Sequence, residues 1–404
     1  MRWPVARNGS IFGNCTVAPL ARPLLVVSDT HLGTDTRSHV GGDLARLIDA
    51  HPEAEIVFGG DAFDLSHAPR HDDQGPMLSR LLDQSPEFVA SLHRRLSKGL
   101  PVTVLAGNHD AALGNEGMAA ILRSRLDVTH DAPILLSPWF VRRGDVHLEH
   151  GHVYDPDNAP IHPLAEWSEQ TEPLGIALTR RFVVATGASH FSHAQDTTPV
   201  RALARAFRLY GFRAPGMIAS YFRTAISLCV QGGPGLAPRE NHERAVGASR
   251  LDDFADQSAL PAAILAELLV QTPRPTHLSR RELFLRLYFD RVFASLVLAT
   301  SLAAIPRRPT ASIMALASLA YLAGSTMRGQ DRYGDLPPKR LQLGAARVRE
   351  TTGARLVVFG HTHHVVVDDG YLNTGSFAFP RGTGRPYVYV DETGAAELRR
   401  STAT

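Results

Sequence analysis

The sequence predicts an α/β layered fold interrupted by a large, mainly helical insertion. Three observations predict it. Short apolar β-type runs alternate with helix-spaced stretches from Leu24 to about residue 150. Long Ala/Leu/Arg-rich stretches then take over from about 160 to 350, and strand texture returns between Arg355 and Leu398. Strands separated by helices argue for a layered α/β domain, with chemistry at the strand ends. At 404 residues the chain can bury one large core or two modest ones.

Residues 1–23 read as an irregular arm. Pro4, Asn8, Gly9, Asn14 and Pro19 interrupt it, so it has no continuous apolar run and argues against a cleaved secretory signal. The first part of the core spans 24–159, with strands expected at Leu24–Val27, Glu55–Phe58, Val102–Leu105, Phe140–Val141 and Val146–Glu149. Gly42–Ala50 and Phe88–Leu100 have helical spacing, and Pro86 is placed to open the second. The helical insertion spans 160–350. Its helices are expected at Val200–Phe212, Met217–Cys229, Leu260–Gln271, Arg280–Phe289, Val292–Ile305 and Ala311–Met327. Gln231–Arg239 and Gln271–Pro275 break the pattern. The second part of the core spans 351–404, with strands at Arg355–Phe359, Val365–Val367, Tyr387–Val390 and Ala396–Leu398.

Composition is that of an ordinary globular chain: 44% hydrophobic, 20% charged and net +2. That balance, without a dense basic stripe, offers little to a nucleic-acid backbone and argues against an exonuclease. Cys15 and Cys229 are the only cysteines. They allow neither a disulfide framework nor a thiolate metal site, which fits a reducing cytoplasm.

The chemistry-bearing residues recur at strand ends. Asp29 and His31 follow Leu24–Val27, and side chains two apart on an extended backbone point the same way. A carboxylate and an imidazole converging there suit a divalent metal. Gly59-Gly60-Asp61-Ala62-Phe63-Asp64 follows the next strand, and its glycines let the backbone turn tightly and approach an ion closely. Gly107-Asn108-His109-Asp110 supplies a hard amide oxygen beside an imidazole. Glu149-His150-Gly151-His152 and Gly360-His361-Thr362-His363-His364 complete the series. Each has an ordinary reading alone, as a Gly-Asp or Gly-Asn turn or a surface His pair. Five in order, each capping an apolar strand, do not.

This ordered set resembles the calcineurin-like metallophosphoesterase superfamily, whose pattern is D-x-H, G-D-x-x-D, G-N-H-[DE], a lone His and G-H-x-H. All five are intact, over about 24–155 and 353–395; the insertion lies outside the resemblance. The resemblance implies a four-layer αββα sandwich and an enzyme holding two divalent metal ions. Asp29, His31 and His363 would hold the first and Asn108, His150 and His361 the second, with Asp61 bridging them. His109 would face the leaving group, oriented by Asp64, and Asn373-Thr374-Gly375-Ser376 would form a supporting strand-turn. Two dications about 3.5 Å apart acidify a shared water, so the implied reaction is in-line attack of a metal-bound hydroxide on phosphorus. Mixed O/N ligands without a thiolate suit Mn²⁺, Fe and Zn²⁺, and affinity order alone does not choose among them; Mn²⁺ is the ion expected. His152 and Asp155 fall close enough for either a substrate contact or a supporting role.

The insertion bears on the substrate. Val292–Ile305 and Ala311–Met327 are nearly uncharged and joined by Pro306-Arg307-Arg308-Pro309, which reads as a helical hairpin over 292–327. Both helices are shorter than the roughly 20 apolar residues of a spanning helix. A spanning hairpin would also carry Arg307 and Arg308 across, against the positive-inside tendency. A buried or membrane-surface hairpin is therefore expected. Arg180-Arg181-Phe182, Arg201–Arg213 and Arg280–Arg291 set arginines among apolar residues, as a phospholipid surface or an anionic substrate would require, or an ordinary solvated helix face. A helical cap over the site is also similar to the UDP-2,3-diacylglucosamine pyrophosphatase branch, peripheral membrane hydrolases of lipid-linked pyrophosphates. The expectation is a phosphodiester, phosphomonoester or pyrophosphate substrate with an apolar attachment, acted on in the cytoplasm or at the inner membrane face. Alternatives are a soluble nucleotide or small phosphoester and, in another class, a non-catalytic binding scaffold.

Overall fold

A computed structural model describes residues 20–33, 39–68, 74–188, 199–327 and 336–401. Most of the expected N-terminal arm, Cys15 and the side chain of Arg201 lie outside the described residues. Eleven strands are described: β1 (Leu24–Val27), β2 (Glu55–Phe58), β3 (Val102–Leu105), β4 (Ile134–Ser137), β5 (Phe140–Arg143), β6 (Val146–Glu149), β7 (Leu356–Phe359), β8 (Val365–Asp368), β9 (Tyr371–Thr374), β10 (Arg385–Val390) and β11 (Ala396–Ser401). They form a six-stranded sheet, β11-β10-β1-β2-β3-β4, and a five-stranded sheet, β5-β6-β7-β9-β8. β1 to β4 run parallel, as do β6, β7 and β9.

The two-residue alternation of a strand explains the layering. In β1, Leu24 and Val26 face the second sheet, meeting Leu148 of β6 and Val358 of β7 in an apolar layer between the sheets. Leu25 and Val27 face the other way, against Leu44 of the helix Val40–Asp49 and Phe88 and Leu92 of the helix Pro86–Ser97. Both faces are covered, so these strands read as continuous apolar runs. Phe140, Val357, Phe359 and Tyr371 on the outer face of the second sheet meet Phe254, Leu265, Leu268, Leu341 and Val348. Helix, sheet, sheet and helix thus stack as the expected αββα sandwich with extra helices. The fourth layer comes from Leu251–Ser258, Ala262–Gln271 and Leu336–Thr352, all within 160–350 apart from the last two residues of the third. That part of the helical stretch forms the outer wall of the sandwich, joined by Trp139 and Tyr154, which pack in the same apolar cluster. The remaining helices extend beyond it, ending in the hairpin Phe289–Ala304 and Ala311–Met327.

Candidate metal centre

The carboxyl ends of β1, β2, β3, β6 and β7 lie at one edge of the sandwich, where both sheets deliver their loops, as open parallel sheets do with their ligand sites. The chain turns sharply there. Asp29, His31, Asp61, His361 and His363 all have positive φ, between 41° and 70°. Left-handed backbone at a side-chain-bearing residue costs on the order of 1–2 kcal/mol and persists only where the surroundings over-determine it. Two glycines show how close the packing is. A Cβ on Gly60, at φ 90°, would overlap the His150 ring, and one on Gly360 would strike Ser28 and the Asp29 carboxylate.

The candidates form two adjoining groups. Asp29, His31 and His363 bring one ligand-type atom each to within 4.8 Å of one another, and so do Asp61, His150 and His361. In the first, His31 Nε2 lies 3.2 Å from His363 Nε2, which is 3.1 Å from Asp29 Oδ1. In the second, His150 Nε2 lies 3.2 Å from both Asp61 Oδ2 and Asn108 Oδ1. Asp29, His31, Asp61 and His150 are almost wholly buried.

The hydrogen bonds around these atoms orient them inward. His31 Nδ1 is held by Asp64 Oδ1 at 2.7 Å, which turns Nε2 toward His363. His150 Nδ1 donates to the Gly59 carbonyl at 2.9 Å, so in the neutral ring Nε2 carries the lone pair. Asn108 Nδ2 donates to Asn158 at 3.4 Å and leaves Oδ1 facing His150. Asp29 Oδ2 accepts from Ser28 Oγ at 2.5 Å and the His361 amide at 3.1 Å, while Asp29 Oδ1 is buried without a hydrogen bond. Lone pairs from His150, Asp61 and Asn108 share one small space only with a proton or a cation among them. The donor set of carboxylate, imidazole and amide oxygen, with no thiolate, fits hard to borderline divalent ions.

The field is consistent with that fit. Burial opposes charge on every one of these groups. Even so, His363 and His150 hold Asp29 down to about 2, and neighbouring imidazoles hold Asp61 and Asp64 well below the usual carboxylate range. Burial is likewise outweighed at His31, raised to about 9 chiefly by Asp64, and at His150, raised to about 10 chiefly by Asp61. A buried region that protonates imidazoles so readily attracts positive charge of any kind.

His109 forms a third, overlapping group with His31 and Asp64, and its ring lies edge-on to His31 with centroids 5.0 Å apart. Burial, with the positive neighbours His31 and His67, pushes it down to about 4. Asp64 Oδ1 is 3.6 Å from His109 Nδ1 and makes its hydrogen bond to His31, whereas Ser66 Oγ meets His109 Nδ1 at 2.7 Å. Asp64 reaches His31 first because both follow strands β1 and β2, whose loops are stitched by Leu32 and Phe63.

Other supporting residues escaped the sequence reading. Asp110 accepts the amides of Asp61, Ala62, Phe63 and Gly107, tying the β2 and β3 loops together. Only its place as the last residue of the third motif marked it. Asn158 carried no signal beyond lying near Asp155. Asp155 itself takes His361 Nε2 at 3.1 Å and so supports the second group, while Arg340 from the Leu336–Thr352 helix approaches it at 4.0 Å. His152 is buried beside His150 and His361, and burial drives its pKa well down. Asn373 donates to the Gly360 carbonyl and Ser376 to that of Asp29, bracing two of the strained loops.

Residues 22–211 match the family of calcineurin-like phosphoesterases, a span that takes in the motifs of Asp29, Asp61, Asn108 and His150 and stops before that of His361. Nothing among the curated proteins or the solved structures matches the chain. The fold, the order of the motifs and the grouped His and Asp side chains agree with this match over residues 22–211, and the matched family indicates a metal-dependent hydrolase of phosphoric esters.

Proposed function

We propose that Asp29, His31 and His363 hold one divalent cation and Asn108, His150 and His361 a second, with Asp61 shared between them. The substrate we propose is a phosphodiester, phosphomonoester or pyrophosphate attached to an apolar group. The observation that carries the assignment is the approach of His150 Nε2 to both Asp61 Oδ2 and Asn108 Oδ1, each at 3.2 Å, a space in which a cation would take the place of the ring proton. Divalent cations held there, Mn²⁺ being our first choice, would supply an acidified water and neutralise phosphoryl charge.

The chain does the positioning. Asp64 and the Gly59 carbonyl fix the tautomers of His31 and His150, and Asp155 and Asn158 orient His361 and Asn108. The His109 amide donates to Asp61 Oδ1 at 2.8 Å, which fixes its imidazole relative to the shared carboxylate. From there the ring donates a hydrogen bond to the departing oxygen, a role worth about 10²–10⁴ in rate. The apolar attachment is supported by the insertion, which brings Arg340 to the rim of the site and carries an exposed apolar hairpin.

The test is hydrolysis of bis-p-nitrophenyl phosphate by purified protein after chelation and after adding back Mn²⁺, Fe²⁺ or Zn²⁺. Activity should vanish with the chelator, return with metal, and be lost in His31→Ala and His150→Ala. Chelator-resistant hydrolysis, or full activity in both variants, overturns the proposal. Lipid-linked and soluble phosphoesters are then compared; a preference for soluble nucleotides removes the apolar attachment and leaves the centre standing.

A further inference from the structure

The hairpin of Phe289–Ala304 and Ala311–Met327 is packed inside out. A helix on a soluble protein turns its large apolar side chains inward and its small or polar ones out. Here the buried positions of the two helices are Asp290 at the base and otherwise small residues, Ala294, Ser301, Ala315, Ser318 and Ser325. Phe293, Leu296, Leu302, Ile313, Leu316 and Leu319 are 54–68% exposed. Small residues at a helix–helix contact with large apolar ones outside is the arrangement of helices in an apolar medium, where close backbone packing rather than burial from water joins them.

The exposed apolar surface is also too wide for one partner. At 100° per residue, the exposed positions of the second helix cover roughly 220° of its circumference, and those of the first roughly 180°. A folded partner or a second copy covers one side of such a hairpin; a continuous medium covers all of it. Patches of this kind on a soluble surface mark interaction sites.

Charge selects the medium. From 291 to 327 the sequence holds no Asp, Glu or Lys, and its only charges are Arg291 at the base and Arg307 and Arg308 at the tip. Both tip arginines are exposed. At the base, Arg291 lies over the Tyr288 ring, 4.9 Å from its centroid, and Tyr321 donates to Asp290 at 2.7 Å, so aromatic and cationic groups sit together as they do at membrane interfaces. Among the described residues no single helix is long and apolar enough to cross a membrane. At 16 and 17 residues these two span about 24–26 Å, less than the roughly 30 Å hydrocarbon layer.

We propose that this hairpin docks the protein on anionic lipid bilayers, its outer faces sunk into the interfacial region and its arginines among the headgroups. The inference concerns where the enzyme works; it shares the hairpin with the apolar attachment proposed above and is independent of the metal centre. Full-length protein is floated with vesicles of phosphatidylcholine alone and of phosphatidylcholine with phosphatidylglycerol. It should rise with the second and far less with the first. The variant L296Q/I313Q/L316Q/L319Q should stay at the bottom while keeping wild-type circular dichroism and hydrolysis of bis-p-nitrophenyl phosphate. R307E/R308E should bind the anionic vesicles at least about ten-fold more weakly. Wild-type protein that fails to rise with either vesicle overturns the proposal, as does a four-glutamine variant that rises equally well. Light scattering that finds a dimer in the wild type and a monomer in the variant, with neither floating, also overturns it and gives the surface to a second copy. Flotation reads the docking and hydrolysis reads the centre, so failure of one is not failure of the other.

Discussion

Replacing Asp110 by Asn tests whether one buried carboxylate holds the β2 and β3 loops in place. Asp110 Oδ2 accepts from the Ala62 amide at 2.6 Å and the Phe63 amide at 3.1 Å. Oδ1 accepts from Gly107 at 2.7 Å and Asp61 at 3.2 Å. The side chain has no solvent exposure. Burial and the nearby Asp61 carboxylate raise its pKa, and the Gly107 and Phe63 amides oppose that, so the measurement belongs at about pH 8, with the group ionised. Asn keeps the volume but turns one oxygen into a donor, and whichever way the amide lies it points hydrogens at two amide N–H groups. Each buried donor left unpaired costs about 1–3 kcal/mol, so D110N should lose about 2–6 kcal/mol. Against a total of about 5–15 kcal/mol that is a large shift. Urea unfolding of metal-free protein reads it directly. Asp61 belongs to the released loop, and a misplacement of about 1 Å at a reacting centre costs on the order of 10² in rate, so bis-p-nitrophenyl phosphate hydrolysis should fall as well. A variant within about 0.5 kcal/mol of wild type and equally active would refute the reasoning.

Three further outcomes are expected. His109→Ala should lower kcat by about 10²–10⁴ with the metal content unchanged; equal rates, or loss of metal, reject the role given to its ring. In the metal-free protein His31 is raised to about 9 and His150 to about 10, so both hold a proton at pH 7 that a metal must expel. Affinity should therefore rise with pH, about ten-fold per unit for each proton, until about pH 9. Titration calorimetry in two buffers of different ionisation enthalpy counts the protons, and finding none released contradicts the assigned ligands. His277 is buried with neither ring nitrogen hydrogen-bonded, and burial holds it down to about 4. The unfolded chain, at about 6.5, takes up this proton first, so stability is full above pH 6.5 and falls as pH drops toward 4. The loss is about 3 kcal/mol, and His277→Leu should flatten that slope in urea titrations between pH 7 and 4.

The strands and the candidate ligands were legible because both are local. β1, β2, β3 and β6 have the bounds that their apolar runs indicated, and each motif immediately follows a strand. What escaped was the element with a weak local pattern. β4 is an edge strand with Leu135 exposed, and its three apolar residues, Ile134 to Leu136, lie between Pro133 and Pro138, which read as breaks. Ala237–Ser249 buries little apolar surface and is rich in charge, and Leu336–Thr352 opens with Pro337 and Pro338, which read as a break.

By itself the sequence determined the kinds of groups available and the strand ends that bear them, since side-chain type and two-residue alternation are properties of neighbouring residues. Only the tertiary structure decided which groups meet. His31 and His363 approach across 332 positions, and His109 meets Ser66 with Asp64 3.6 Å away. The helices that cover the second sheet come from the stretch that looked like a separate insertion, and the hairpin turns its small residues inward. Periodicity states that a face is apolar; what covers that face depends on segments far away in the chain, brought there by the burial of others.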